Sequence, residues 1–296
     1  MSDTPIKDVS DTAFMVAMYR AVEGERPNAL FRDPLSRTLA GEHGQRIMTG
    51  LWGPDWVSAR EARIMIWHMA MRTYIIDAFI AAAIGRGVNA ILNLGAGLDT
   101  RPYRMAVPNT LAWIEVDYPH VIELKESKLA AEQPRCLLER VKLDLSSRAE
   151  RLQMFASVSS RFERVLVLTE GVIPYLIEGE VGLLADDLRS QASFKHWIVD
   201  HFSRQAIAYR ARSAAAGKMQ NAPFRFDPAD YFEFFRQHGW QTKQVRYLWD
   251  EGARLKRPMP VPLAGVFWLR LLRPFVSRAR LEAVRKSMGY VVFEPC

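Results

Sequence analysis

Cysteine is scarce: the 296 residues hold two, Cys136 and Cys296. Two so far apart make neither a disulfide framework nor a metal-ligand spacing. No structural metal is therefore expected, and a reduced, cytoplasmic setting is. Long hydrophobic runs are also missing. No uncharged apolar stretch reaches the roughly 18 residues that span a bilayer. The longest are interrupted by Asp77 and by Arg270 and Arg273, so no integral membrane segment is expected. The opening M-S-D-T-P-I-K-D is polar and has no secretory core. Internal repeats and low-complexity linkers are absent as well.

What is present is ordinary globular composition, 49% hydrophobic and 25% charged. The net charge of +7 is uneven: residues 201–296 carry +10 and the first 200 carry −3. A basic final third either draws in an anionic substrate or surface, or is a solvated face.

Residues 89–104, N-A-I-L-N-L-G-A-G-L-D-T-R-P-Y-R, organise the chain. A short apolar run through Ile91, Leu92 and Leu94 reads as a buried parallel strand. Gly95 and Gly97 then allow a sharp turn and close approach to a ligand. Downstream, strands at 111–116, 140–143, 165–169 and 197–202 alternate with helical stretches at 119–132, 147–159 and 178–192. That rhythm implies a mostly parallel sheet covered on both faces. Further strands read at 240–248 and 289–293. Upstream, residues 11–23, 36–48 and 58–85 read as helices, the last with Ser58 as N-cap. Residues 203–226 read as a helical insertion or substrate lid. Asp227, before Pro228, reads as an N-cap. Residues 264–286 read as a basic amphipathic helix that packs, dimerises or meets lipid. The fold expected is α/β, a Rossmann-like seven-stranded sheet in one domain. A helical cap covers residues 1–88, a cofactor-binding core 89–202, and a lid with the last strands 203–296.

In open α/β sheets the ligand sits beyond the carboxyl ends of the strands. Four strands in succession end in carboxylates: Asp99, then Glu115 and Asp117, then Asp144, then Glu170. The acid after strand two, Glu115 or Asp117, suits ribose hydroxyls and disfavours a 2′-phosphate. A nicotinamide dinucleotide needs a third glycine and tolerance for pyrophosphate. Thr100 stands at that glycine position, with Asp99 before it to repel phosphate. S-adenosylmethionine has no phosphate, and its ammonium and sulfonium are attracted by carboxylates. Asp144 can accept from an adenine amino group. Arg72 can pair with the methionyl carboxylate. The charge pattern thus favours S-adenosylmethionine over NAD.

R-T-Y-I-I-D at 72–77, N-L-G-A-G-L-D-T-R at 93–101, E-V-D-Y-P at 115–119, L-D-L at 143–145 and T-E-G-V-I-P-Y-L at 169–176 resemble the leucine carboxyl methyltransferase family, which includes O-methyltransferases of bacterial polyketide pathways. The resemblance covers most of the chain and implies a class I methyltransferase fold. It implies that Arg72 holds the methionyl carboxylate and that Gly95, with Gly97 in the same loop, contacts the methionine portion. Asp117 would bind the ribose, with Glu115 its rival. Asp144 and Leu145 would flank the adenine, and Glu170 would sit under the amino group. Arg20 would help close over the cofactor, while Asp99 and Arg101 would pair within the loop. Residues 203–288 depart from the protein-methylating branch, which leaves the acceptor open.

The reaction implied is in-line displacement at a sulfonium methyl, where positioning is worth about 7–11 kcal/mol. A carboxylate acceptor, with pKa about 4, needs no base, whereas a phenol benefits from one. His201 is the candidate base, and Tyr175 and Tyr103 are candidates to line the transfer site. A small-molecule carboxylate is the favoured acceptor, a hydroxyl the next. A protein C-terminal carboxylate and a non-methylating cofactor-binding protein are the rivals. No nucleic-acid partner is expected; a homodimer is left open.

Overall fold

The computed structural model describes residue 6 and residues 9–212, 220–260 and 277–296. Its frame is a seven-stranded sheet in the order β3-β2-β1-β4-β5-β7-β6. The strands are β1 (Ala90–Leu94), β2 (Ala112–Asp117), β3 (Leu137–Lys142), β4 (Val165–Thr169), β5 (Phe194–Phe202), β6 (Trp240–Tyr247) and β7 (Met288–Pro295). The first five run parallel, and β7 runs antiparallel between β5 and β6. β1 and β4 are buried at every position, as continuous apolar runs in a two-sided sheet must be. Alternation still sorts their side chains: Leu92 and Leu94 enter the core on one face, Ile91 the core on the other.

The first core packs β1, β2 and β4 against helices α6 (Arg148–Arg161), α7 (Glu178–Arg189) and α9 (Tyr231–Gln237). Two tryptophans anchor it with their N–H groups satisfied. Trp197 donates to the Thr169 hydroxyl at 2.9 Å and Trp240 to the Ala185 carbonyl at 3.0 Å. The second core is built on α3 (Arg60–Ile84). Ile76, Phe79, Ile80 and Ala83 recur on it at helical spacing and are buried. Among the described residues α3 alone is long and apolar enough to cross a bilayer, and most of that stretch is buried inside the protein. A third core joins α1 (Val9–Glu25), α2 (Pro34–Trp52) and the start of α3 into a cap. The remaining helices are α4 (Arg101–Arg104), α5 (Pro119–Lys128), α8 (Arg204–Arg212), α10 (Leu248–Arg254) and α11 (Arg278–Arg285).

Two local readings are corrected. Ser58 closes a 3₁₀ turn over Trp56–Ser58, and α3 begins after Ala59 with no side-chain cap. Asp230, not Asp227, caps α9, accepting from the backbone N–H groups of Phe232 and Glu233 at 3.0 Å. Asp227 instead pairs with Arg204 at 3.2 Å. Of the basic helix read over 264–286, only α11 is observed; residues 261–276 lie outside the described part. The span 203–226 begins with α8, and residues 213–219 likewise lie outside.

Candidate active site

The loops after β1, β2, β3 and β4 surround a cavity of about 330 Å³, closed on one side by α1. Gly95 and Gly97 form its floor with φ of +68° and +47°, the left-handed region that disfavours a Cβ. A Cβ on Gly95 would stand 2.5 Å from Val172 Cγ2, so this crossing of two loops requires glycine. The Gly95 N–H donates to the Val116 carbonyl at 2.8 Å.

Asp117, at the tip of β2, lines the same floor. Its Oδ2 accepts from the Gly97 N–H at 2.6 Å and its Oδ1 from the Tyr118 N–H at 2.7 Å. Each oxygen keeps a second lone pair for a hydroxyl. Burial pushes this carboxyl up, against the pull of those two N–H groups. Glu115, the rival for the ribose, does not reach the cavity. It is fully buried and holds Lys125 Nζ at 2.6 Å and Arg140 Nε at 3.1 Å. The two substitutions should therefore separate. Asp117→Ala should weaken cofactor binding by about 1.5–3 kcal/mol, the scale of hydrogen bonds to a charged group. Glu115→Ala should lower stability instead, by leaving Lys125 buried without its carboxylate. Calorimetry of binding and denaturant unfolding of both variants measure this; a cofactor-binding loss confined to Glu115→Ala would move the ribose site.

A buried charge network forms the far wall. Arg72 Nε donates to Glu170 Oε1 at 2.5 Å. Arg101, 1% exposed, reaches Glu170 at 2.6 Å, Asp77 at 2.7 Å and Asp99 at 3.0 Å. Asp99 also takes Asn93 Nδ2 at 2.9 Å, and Arg104 braces Asp77 at 2.6 Å. Burial alone would raise the Glu170 carboxyl, but Arg101 and Arg72 outweigh it and hold it at about 2. Glu170 is thus an anion throughout the physiological range, suited to an ammonium. Arg101 was expected to act within its own loop; it spans three elements.

The remaining candidates divide. Leu145 and Tyr175 line the cavity, as does Leu143. Asp144 does not; its Oδ1 accepts from the Ser146 N–H at 2.9 Å, a local turn. Arg20 lines the cavity, but its guanidinium is held by Asp33 at 3.0 Å and by the Leu98 carbonyl at 2.5 Å, tying α1 to the glycine loop. Tyr103 accepts from Arg140 at 2.6 Å, away from the cavity. His201 is not brought to the cavity. It packs among Tyr231, Phe232 and Tyr247, where burial pushes its imidazole down to about 4. Its neighbour Asp200 faces the other way and accepts from the Gly171 N–H at 2.7 Å. Burial raises Asp200 to about 6 despite nearby Arg72. Sequence reasoning missed Asp33, Asp77 and Asp200. Asp33 stands before Pro34, an N-cap signal, and Asp200 lies near the end of β5, one position before the residue chosen.

This donor set suits S-adenosylmethionine. Carboxylates able to accept from an ammonium and from hydroxyls line the cavity, an arginine lies beside one of them, and Leu143 and Leu145 offer an apolar slot that suits a base. A pyrophosphate would meet Asp117 and Glu170. Among the described residues, no group of three His, Cys, Asp or Glu side chains is placed to hold a metal.

The strand order and this cavity define a class I S-adenosylmethionine-dependent methyltransferase. Solved structures share the fold at low identity. A Thermobifida fusca protein assigned as a methyltransferase superposes with TM-score 0.50 at 14% identity, over 95% of this chain and 94% of its own. A DUF574 family protein of Streptomyces avermitilis gives 0.51 at 13%, over 95% and 97%. The leucine carboxyl methyltransferase family model matches residues 13–189, and the chain belongs to that family. Two relatives assigned as S-adenosyl-L-methionine-dependent methyltransferases are each 31% identical. One, of Mycobacteroides abscessus, aligns over 281 residues, 85% of this chain and 90% of its own. The other, of Streptomyces coelicolor, aligns over 256, 84% and 88%.

Proposed function

We propose that this methyltransferase acts on the carboxylate of a small molecule of polyketide type, forming a methyl ester. The observation that carries the reading is the absence of a base. Among the described residues lining the cavity there is no histidine, lysine or cysteine. Its acids are engaged: Asp117 by two backbone N–H groups, Glu170 by Arg72 and Arg101, Asp99 by Asn93 and Arg101. A carboxylate needs no deprotonation near neutral pH. The polyketide class rests on the sequence motifs alone.

Bound S-adenosylmethionine supplies an electrophilic methyl group on a positive sulfur. The chain's own part is to bind, orient and exclude water. Asp117 takes the ribose hydroxyls, Glu170 the amino group and Arg72 the methionyl carboxylate. The chemistry the cofactor would supply is methyl transfer to an acceptor oxygen, the sulfur–carbon bond breaking with its electron pair kept on sulfur. No proton leaves a carboxylate in this step. We take the chain to work as one domain in a reducing, cytoplasmic setting; both cysteines are free.

Transfer of a labelled methyl to a panel of carboxylic acids and phenols tests the reading. Alkali-labile esters are the expected product. Alkali-stable ethers alone would replace the carboxylate by a hydroxyl. Cofactor binding without transfer to any acceptor would favour a non-catalytic role.

A further inference from the structure

Arg72 and Tyr175 line the cavity, and the groups behind them are unusual. His68 stands one turn before Arg72 on α3. Its Nε2 is buried and makes no hydrogen bond among the described residues. Its ring lies 6.2 Å from Phe202, at the end of β5. Phe202 is 5.0 Å from Phe224, which meets the Tyr175 ring edge-on at 5.4 Å. Arg210, on α8, lies over the Phe224 ring at 4.1 Å.

Arg210 also acts electrostatically on His68, Tyr19 and Tyr175. An imidazole and a guanidinium from distant parts of the chain thus converge on one aromatic wall. Burial, with Arg72 and Arg210 nearby, pushes His68 down to about 3, so its ring is neutral at neutral pH. A neutral imidazole can still donate one N–H to an anion. Burial lowers Arg210 too, yet a guanidinium stays charged. The void among Phe202, Ile207, Phe224 and Phe226 is about 10 Å³, room for one water, and Tyr175, which lines the cavity, is where this aromatic wall adjoins it.

We propose that His68 and Arg210 are the acceptor-binding residues, receiving a carboxylate whose apolar body lies along Tyr175 and Phe224. This rests on the carboxylate reading above. It assigns specificity to a helix of the cap and a helix beyond β5, not to the cofactor loops.

The test uses the full chain saturated with S-adenosylhomocysteine and 2-naphthoate as probe, with 2-naphthol as the uncharged control. Saturable 2-naphthoate binding is expected, weakened at least about tenfold in Arg210→Gln and in His68→Leu, on the scale of a lost charge-assisted contact. Arg210→Lys should restore part of it. S-adenosylhomocysteine affinity should stay within about twofold in every variant, which also shows that each is folded. No naphthoate binding, equal binding in wild type and variants, or a parallel loss of S-adenosylhomocysteine affinity overturns the proposal. In a parallel turnover assay with S-adenosylmethionine in place of S-adenosylhomocysteine, methyl naphthoate formed equally by wild type and variants leaves the carboxylate function standing and removes the two residues from it. Naphthol bound as tightly as naphthoate, and lost in the same variants, keeps the subsite but sinks the carboxylate reading.

Discussion

Arg101→Leu lowers the free energy of unfolding by about 3–5 kcal/mol, the range for removing one partner of a buried ionic cluster. Arg101 is the hub of such a cluster. It is 1% exposed and faces Glu170, Asp77 and Asp99 within 3.0 Å. Leucine leaves Asp99 with its amide partner Asn93 and leaves Asp77 with Arg104, but no cation of comparable reach replaces the link among the three. Denaturant unfolding at neutral pH measures the loss. Acid gives a second, independent readout. Glu170 has a folded pKa of about 2, below its ordinary 4.5. A depressed acid contributes stability that is present above the unfolded pKa and lost as pH falls toward the folded one. Wild-type stability should therefore drop between about pH 4.5 and pH 2, and Arg101→Leu should flatten that slope. A variant as stable as wild type, with the slope intact, would show that the cluster does not hold the site together.

Arg72→Ala weakens S-adenosylmethionine binding by about 2–4 kcal/mol, roughly 30- to 1000-fold. Arg72 both lines the cavity and orients Glu170, so its loss removes a cation for the methionyl carboxylate and loosens the anion for the amino group. Glu170 retains Arg101 at 2.6 Å, which keeps the variant folded and lets binding be measured. Calorimetric titration decides it; unchanged affinity would take Arg72 out of the site. Arg72→Lys should recover only part, since a point ammonium cannot reproduce the fork that meets Glu170 and a ligand together.

Much of the fold was legible because its signals are local. β1 and β4 are continuous apolar runs ended by Gly95 and by Glu170-Gly171, so both were read in place and β4 was delimited to the residue. β3 and β5 begin three residues earlier than read, since Leu137 and Phe194 join the sheet through pairing with β2 and β4, which no local pattern announces. Gly95, Gly97, Asp117 and Glu170, read at the loop tips because strand ends mark the ligand side, do line the cavity. Glu115 misled because a residue's position near a strand end does not say what its side chain meets; Lys125 of α5 and Arg140 of β3 claim it first. His201 misled by one position. Successive residues on a strand face opposite sides, and Asp200 took the side toward Gly171. His68 carried no signal at all, since only the packing of α3 against the end of β5 gives it a function.

The insertion of β7 between β5 and β6 has a bearing on how the chain folds. Trp197 pairs with Phe293 and Tyr247 with Gly289, so one half of the sheet is stitched by a strand recruited from far along the polypeptide. Segments so distant meet late, after the loop entropy of joining them has been overcome. The β3-β2-β1-β4-β5 portion, which carries the glycine loop, Asp117 and Glu170, can assemble before that closure. Cofactor recognition can therefore mature ahead of the β7 edge, and β6, nearer to β7 in sequence than β5 is, can pair with β7 before that edge closes on β5.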